Sequence, residues 1–277
     1  MQHAMLPFDW QGHRGSRGLL PENTIPAFLR ALSYPEVITL ELDVVVSADD
    51  RVIVSHDPYM EPELCLDPGG GRIRDTVSLR QLTAAEIAAY DCGQLPNAGF
   101  PEQERRPAAK PTLAAVLAAV DRYCLQMERP EPRYNIELKY QPDWESDFVP
   151  DRATFARLVL EDLHAWGKPE LVILQCFDPP MLAVLHRLAP DITLAYLDEA
   201  PGDVEGKMDA LGFVPDIYSP WERGLEPETV AAAHALGMRV VPWTVNEVTR
   251  MEELIAMGVD GIITDYPDRI SQVANRP

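Results

Sequence analysis

Four times in its second half the chain repeats one unit: an amphipathic stretch closes on glycine, and an apolar, β-branched segment follows within a few residues. The unit stands at Trp166-Gly167 before LVILQCF, Leu211-Gly212 before IYS, Leu236-Gly237 before MRVVPW, and Met257-Gly258 before VDGIIT. Glycine just past a helix takes the left-handed conformation at little steric cost, and a buried strand can start directly after it. Helix and strand repeated in this order predict a parallel sheet, because each helix serves as the crossover between neighbouring strands.

The first half reads compatibly. A strand is expected around Phe8–Gly12, then a helix from about Thr24 to Ser33 with Pro26 in its first turn, where a missing N–H costs little. The strand ITLELDVVV and the short strand RVIVS follow. Residues 58–110 break the rhythm with PGGG at Pro68–Gly71, a short helix opened by a capping box from Thr83 to Glu86, and the run LPNAGFPEQERRPAAKP. Beyond them, Leu113, Val116, Leu117 and Val120 mark a helix, and YNIELK a strand. Strand candidates near residues 8, 38, 51, 134, 171, 192, 216, 239 and 260 make eight or nine. The fold expected is an α/β TIM barrel, (β/α)8, forming a single domain over residues 1–277 with an insertion subdomain at about 58–110, after an early strand. A doubly wound open sheet is the runner-up, but no GxGxxG follows the first strand and no Walker loop is present.

On a strand, alternate side chains share a face, so Glu41 and Asp43 lie side by side in ITLELDVVV, and Glu137 and Lys139 do so in NIELK. Carboxylates on otherwise apolar, buried strands cost several kcal/mol each if unpaired. Two arrangements answer this: a hard cation with oxygen ligands, Mg²⁺ or Ca²⁺, or a ladder pairing Glu137 with Lys139 and Glu41 with Arg14. Spacing leaves both open. His13 and His56 each follow a strand, at the end where barrel enzymes keep their active sites, and so favour the chemical reading. The other histidines, His3, His164, His186 and His234, read as structural or exposed.

Asp and Glu number 44 against 24 Lys and Arg, a net charge of −20, which repels nucleic acid and anionic membrane surfaces. An anionic substrate would need a cation to invert the local field. Cys65, Cys92, Cys124 and Cys176 show neither a CxxC pair nor zinc-type spacing, and four buried reduced thiols are expected. No apolar run approaches about 18 residues and no signal segment is evident, so stable membrane insertion is not expected and a cytoplasmic location is. A periplasmic or secreted chain that had lost its leader would read the same way.

The ordered set HRG (His13–Gly15), PENT (Pro21–Thr24), ELD (Glu41–Asp43), SHDP (Ser55–Pro58), IELK (Ile136–Lys139), VVPWTVN and DGIITDYP resembles the glycerophosphodiester phosphodiesterase family, over essentially the whole chain. The resemblance implies a TIM barrel with one divalent cation that hydrolyses a small glycerophosphodiester to glycerol 3-phosphate and an alcohol. It implies His13 and His56 as general acid and base, Glu41, Asp43 and Glu137 as metal ligands, and Arg14 and Lys139 as a phosphate clamp. Trp243 and Phe177 would wall the glycerol or leaving-group pocket. Glu22 and Gln175 match the family pattern without an assigned role, and Cys176 stands where a serine is common. Two alternatives remain: a lysophospholipase D-type hydrolase using Leu64, Leu66, Leu79, Leu82 and Ile87 of the insertion for an acyl chain, or a silent phosphoglycerol-binding module. Neither oligomeric state nor preferred head group is legible.

Overall fold

A computed structural model describes residues 7–274 and 276; His3 lies outside them. In chain order the elements are β1 (Asp9–Gly12), α1 (Ile25–Leu32), β2 (Val37–Val46), β3 (Val52–Val54), α2 (Ala84–Ile87), α3 (Leu113–Gln126), β4 (Arg133–Leu138), α4 (Arg152–Trp166), β5 (Val172–Cys176), α5 (Pro179–Leu188), β6 (Thr193–Asp198), α6 (Val204–Leu211), β7 (Ile217–Pro220), α7 (Pro227–Ala235), β8 (Arg239–Val240), α8 (Val248–Met257) and β9 (Gly261–Thr264). Hydrogen-bonded neighbours run β8-β7-β6-β5-β4-β2-β1-β9, all parallel, while β3 pairs antiparallel with β2 outside this path. That resolves the strand count: the segment near residue 51 is a β-ribbon partner, and eight strands form the barrel. The expected strand in MRVVPW shortens to two residues because Pro242 has no N–H to donate. The seam between β8 and β9 is closed by Asp260 N–H to Val240 O (2.8 Å) and Ile263 N–H to Pro242 O (3.0 Å).

All four glycines of the repeated unit have positive φ: Gly167 (85°), Gly212 (82°), Gly237 (86°) and Gly258 (92°). Outward-facing strand residues pack with the helices into an apolar shell that includes Phe28, Leu40, Leu42, Tyr134, Phe155 and Tyr218. The barrel interior carries a smaller layer of Ile173, Ala195, Ile217, Val241 and Ile263. Val45, on the same face of β2 as Glu41 and Asp43, packs with Ile53 of β3 and with Met60, Cys65, Leu79 and Ile87 from residues 58–110 in a second, smaller core.

One expectation about the cysteines is corrected. Cys65 and Cys92 form a disulfide (S–S 2.10 Å), while Cys124 and Cys176 are free and buried. The partners are 27 residues apart, which no short motif reveals. They meet because Leu66 and Asp91, beside them, exchange backbone hydrogen bonds of 2.6 and 3.2 Å. Among the described residues no helix is long and apolar enough to cross a membrane.

Candidate active site

Parallel pairing of β2 with β4 sets Asp43 opposite Glu137. Glu41, two residues earlier on the same face, completes a buried trio whose oxygens lie within 4.8 Å of one another. Burial, together with Asp43, drives the Glu41 and Glu137 carboxyls above their ordinary range, and Glu137 pushes Glu41 further the same way. Asp43 is desolvated too, yet Arg14, His56 and Lys139 hold its carboxyl far below that range. Three carboxylates so close, two of them resisting ionisation, are a fitting cradle for a hard divalent cation, which removes their mutual repulsion. Asn23, at φ 56°, fastens Asp43 by giving Nδ2–H to Oδ2 (2.8 Å).

From below, Glu41 is held by a column of amides through the barrel. Gln175 donates to Glu41 Oε1 (2.9 Å), Asn135 donates to Gln175 (3.1 Å) and to Gln11 (2.8 Å), and Gln11 donates to Asp9 (3.0 Å). Gln175 is therefore a support for Glu41.

The cations arrange partly as the ladder expected. Lys139 Nζ lies 2.8 Å from Glu137. Arg14 does not give its guanidinium to Glu41: its Nη1 meets Glu22 Oε1 at 2.7 Å and its Nε lies 3.3 Å from Asp43, while Glu41 receives the Arg14 backbone N–H at 2.9 Å. The turn responsible needs Gly15, at φ 86°, where a Cβ would sit 2.6 Å from the Ala27 backbone. Glu22 also meets Arg17 Nε at 2.6 Å. Its contacts are thus the two arginines.

His13 Nδ1 lies 2.6 Å from Asp265 Oδ1, and its Nε2 lies 3.9 Å from Glu41. Asp265 is oriented by Asn246, which donates to its Oδ2 at 2.7 Å. Desolvation pulls the His13 pKa below its ordinary value against the opposing pull of Asp265. A neutral imidazole giving Nδ1–H to Asp265 keeps an Nε2 lone pair facing the carboxylates. His56 touches Asp57 through Nδ1 (3.2 Å) and Lys139 through Nε2 (3.1 Å). A charged Lys139 must donate there, so His56 carries its proton on Nδ1.

His13, Arg14, Arg17, Glu41, His56, Glu137, Lys139, Gln175, Phe177 and Trp243 all line one cavity of about 760 Å³ at the C-terminal face of the barrel. Phe177 and Trp243 meet edge to face at 5.4 Å, with the indole N–H fixed on Ser219 O at 2.8 Å. Cys176 points away and gives its thiol to Leu138 O (3.2 Å). Of the remaining histidines, His186 stacks on Phe213 (4.1 Å) and His234 pairs with Asp260 (2.9 Å). Sequence reasoning left Arg17, Asn23, Asn246 and Asp265 without roles. Asp265 stands in DGIITDYP and Asn23 in PENT, so their motifs were visible while their partners were not.

Residues 13–269 match the model of the glycerophosphoryl diester phosphodiesterase family. A glycerophosphodiester phosphodiesterase of Bacillus subtilis is 29% identical over 272 residues, covering 94% of this chain and 84% of its own. A crystal structure from Silicibacter pomeroyi, provisionally assigned to the same enzyme class, is 31% identical with a TM-score of 0.86, covering 98% of this chain and 94% of that one. An Oleispira antarctica phosphodiesterase solved with its product sn-glycerol-3-phosphate shares the fold at 20% identity and a TM-score of 0.76, covering 96% of each chain. With the match spanning both histidines and all three carboxylates, the chain belongs to the glycerophosphoryl diester phosphodiesterase family.

Proposed function

We propose that the chain hydrolyses soluble glycerophosphodiesters to glycerol 3-phosphate and an alcohol, within one barrel domain that includes the insertion. The observation that carries this reading is the convergence of two carboxylate-braced histidines on the buried trio in one cavity. Glu41, Asp43 and Glu137 would hold one Mg²⁺ or Ca²⁺, which when bound supplies Lewis-acid stabilisation of charge on phosphate oxygens. Lys139 and Arg14 add fixed positive charge to the same end of the cavity. His13, with Asp265 holding its Nδ1–H, takes a proton at Nε2 from the attacking hydroxyl. His56, beside Asp57, would give a proton to the leaving alkoxide from its imidazolium form, taken up at Nε2 once Lys139 turns from that nitrogen to the phosphate. Phe177 and Trp243 exclude water from one wall.

The lysophospholipase D alternative loses support because Leu79 and Ile87 are buried in the insertion's own core, with Leu64 and Leu82 packed against it. The test is hydrolysis of glycerophosphocholine before chelation, after it, and after Mg²⁺ or Ca²⁺ is restored, with glycerol 3-phosphate as readout. Activity should vanish and return, and Glu41→Ala should weaken metal affinity. His13→Ala and His56→Ala should each lower kcat by roughly 10²- to 10⁴-fold with secondary structure retained. Full activity of the metal-free protein would reduce the trio to a structural ladder.

A further inference from the structure

We infer that Arg17 is a second guanidinium for the phosphate, held ready on the His13 side of the cavity by the insertion. The inference rests on the phosphodiesterase reading above. Arg14 is largely committed: Nη1 and Nε face Glu22 and Asp43, and its side chain is 9% exposed. Arg17 lines the same cavity with a side chain 26% exposed. Among the described residues its guanidinium has one ion-pair partner, Glu22, met through Nε. Its terminal nitrogens therefore remain as a planar fork at the cavity wall, the geometry suited to two phosphate oxygens. The need for it grows during the reaction. A diester carries one negative charge, whereas the monoester product carries close to two at neutral pH, in a cavity already bordered by Glu41, Glu137 and Asp57.

The insertion fixes where this fork sits. Phe100 places its ring 4.7 Å from the Arg17 guanidinium carbon and packs on Tyr266 at 6.2 Å. Gln103 gives Nε2–H to Arg17 O (2.7 Å), and Glu104 N–H goes to Leu19 O (2.9 Å). Residues 100–104 thus strap the loop that carries His13, Arg14 and Arg17, and Phe100 acts as a positioning residue. Ordering a long side chain before the ligand arrives lowers the entropic cost of binding.

The test measures binding of sn-glycerol 3-phosphate by calorimetry to the metal-loaded protein and to Arg17→Met, Arg17→Lys and Phe100→Leu, with kcat and KM for glycerophosphocholine. Arg17→Met should weaken product binding about tenfold or more, as for loss of a charged hydrogen bond, and raise KM more than it lowers kcat. Arg17→Lys should recover part of the affinity. Phe100→Leu, which removes no charge, should weaken product binding about threefold with kcat kept. If Arg17→Met proves unfolded by thermal melting, Arg17→Lys and Phe100→Leu decide. Wild-type affinity in Arg17→Met, or failure of the wild type to bind the product, overturns the inference. Arg17-dependent product binding by a protein that hydrolyses no glycerophosphodiester would instead sink the enzymatic reading and leave the Arg17 site standing.

Discussion

Glu22 shows how a single carboxylate ties the site to stability. Burial opposes its charge, but Arg14 and Arg17 outweigh that and bring its pKa from 4.5 down to about 2. A carboxyl depressed on folding contributes stability that is fully present above the unfolded value and is lost as pH falls through the folded one. The window is therefore pH 4.5 down to about 2, and the contribution at neutral pH is about 3 kcal/mol. Urea denaturation across that window should show Glu22→Gln less stable by this order near pH 7, with the gap to wild type closing toward pH 2. A gap independent of pH would mean that shape, and not charge, is what Glu22 supplies. At this scale the sequence was legible wherever a period of two sufficed: Glu41, Asp43, Glu137 and Lys139 share the inward face that strand alternation assigns them. It was not legible where a partner comes from a distant loop. Asp265 reaches His13 across 252 positions, and nothing local in DGIITDYP announces that meeting.

Among the elements, the insertion departs most from what its sequence suggested. Its capping box at Thr83 and Glu86 forms as expected, and Leu79, with Leu64 and Leu82 packed against it, belongs to the small core described above. Its disulfide was invisible, because cysteine pairing depends on a chain reversal that the Gly- and Pro-rich segment leaves undetermined. Replacing Cys92 by Ser should cost about 3.5 kcal/mol, the loop-closure entropy for a loop of this order. The loss should be local: hydrogen exchange should quicken across residues 61–110 while the barrel strands keep their protection, and product affinity should fall because Phe100 is less well held. Uniform destabilisation of barrel and insertion would contradict this. The helix-to-strand units were legible because glycine marks each boundary. β3 was counted among the strands but not separated from the barrel, since direction of pairing leaves no trace in a three-residue apolar run.

Over the whole molecule, a charge of −20 surrounds a cavity that Arg14, Arg17 and Lys139 help to line. Such a field favours small soluble diesters that bind through their phosphate over anionic aggregates or membranes. If recognition rests on the phosphate and glycerol, the head group should matter little. Glycerophosphocholine, glycerophosphoethanolamine and glycerophosphoglycerol should then share kcat/KM within roughly tenfold, about 1.4 kcal/mol of transition-state discrimination. Lysophosphatidylcholine should be much poorer, and a strong preference for it in the same assay would give the insertion an acyl-binding role.

The amide column beneath Glu41 has a direction. Carboxyl groups end it at both Asp9 and Glu41, and each accepts an amide N–H there. Gln11 and Gln175 must therefore turn their N–H groups outward, and the residue between them must donate both ways. That residue is Asn135, whose Oδ1 is left buried without a hydrogen-bond partner among the described residues. The unmatched oxygen costs about 1–3 kcal/mol, yet it removes a choice: no single amide can reverse without setting two like groups face to face. A divalent ion arriving at the mouth would thus find Glu41 already aimed by a polarity that begins on the barrel floor.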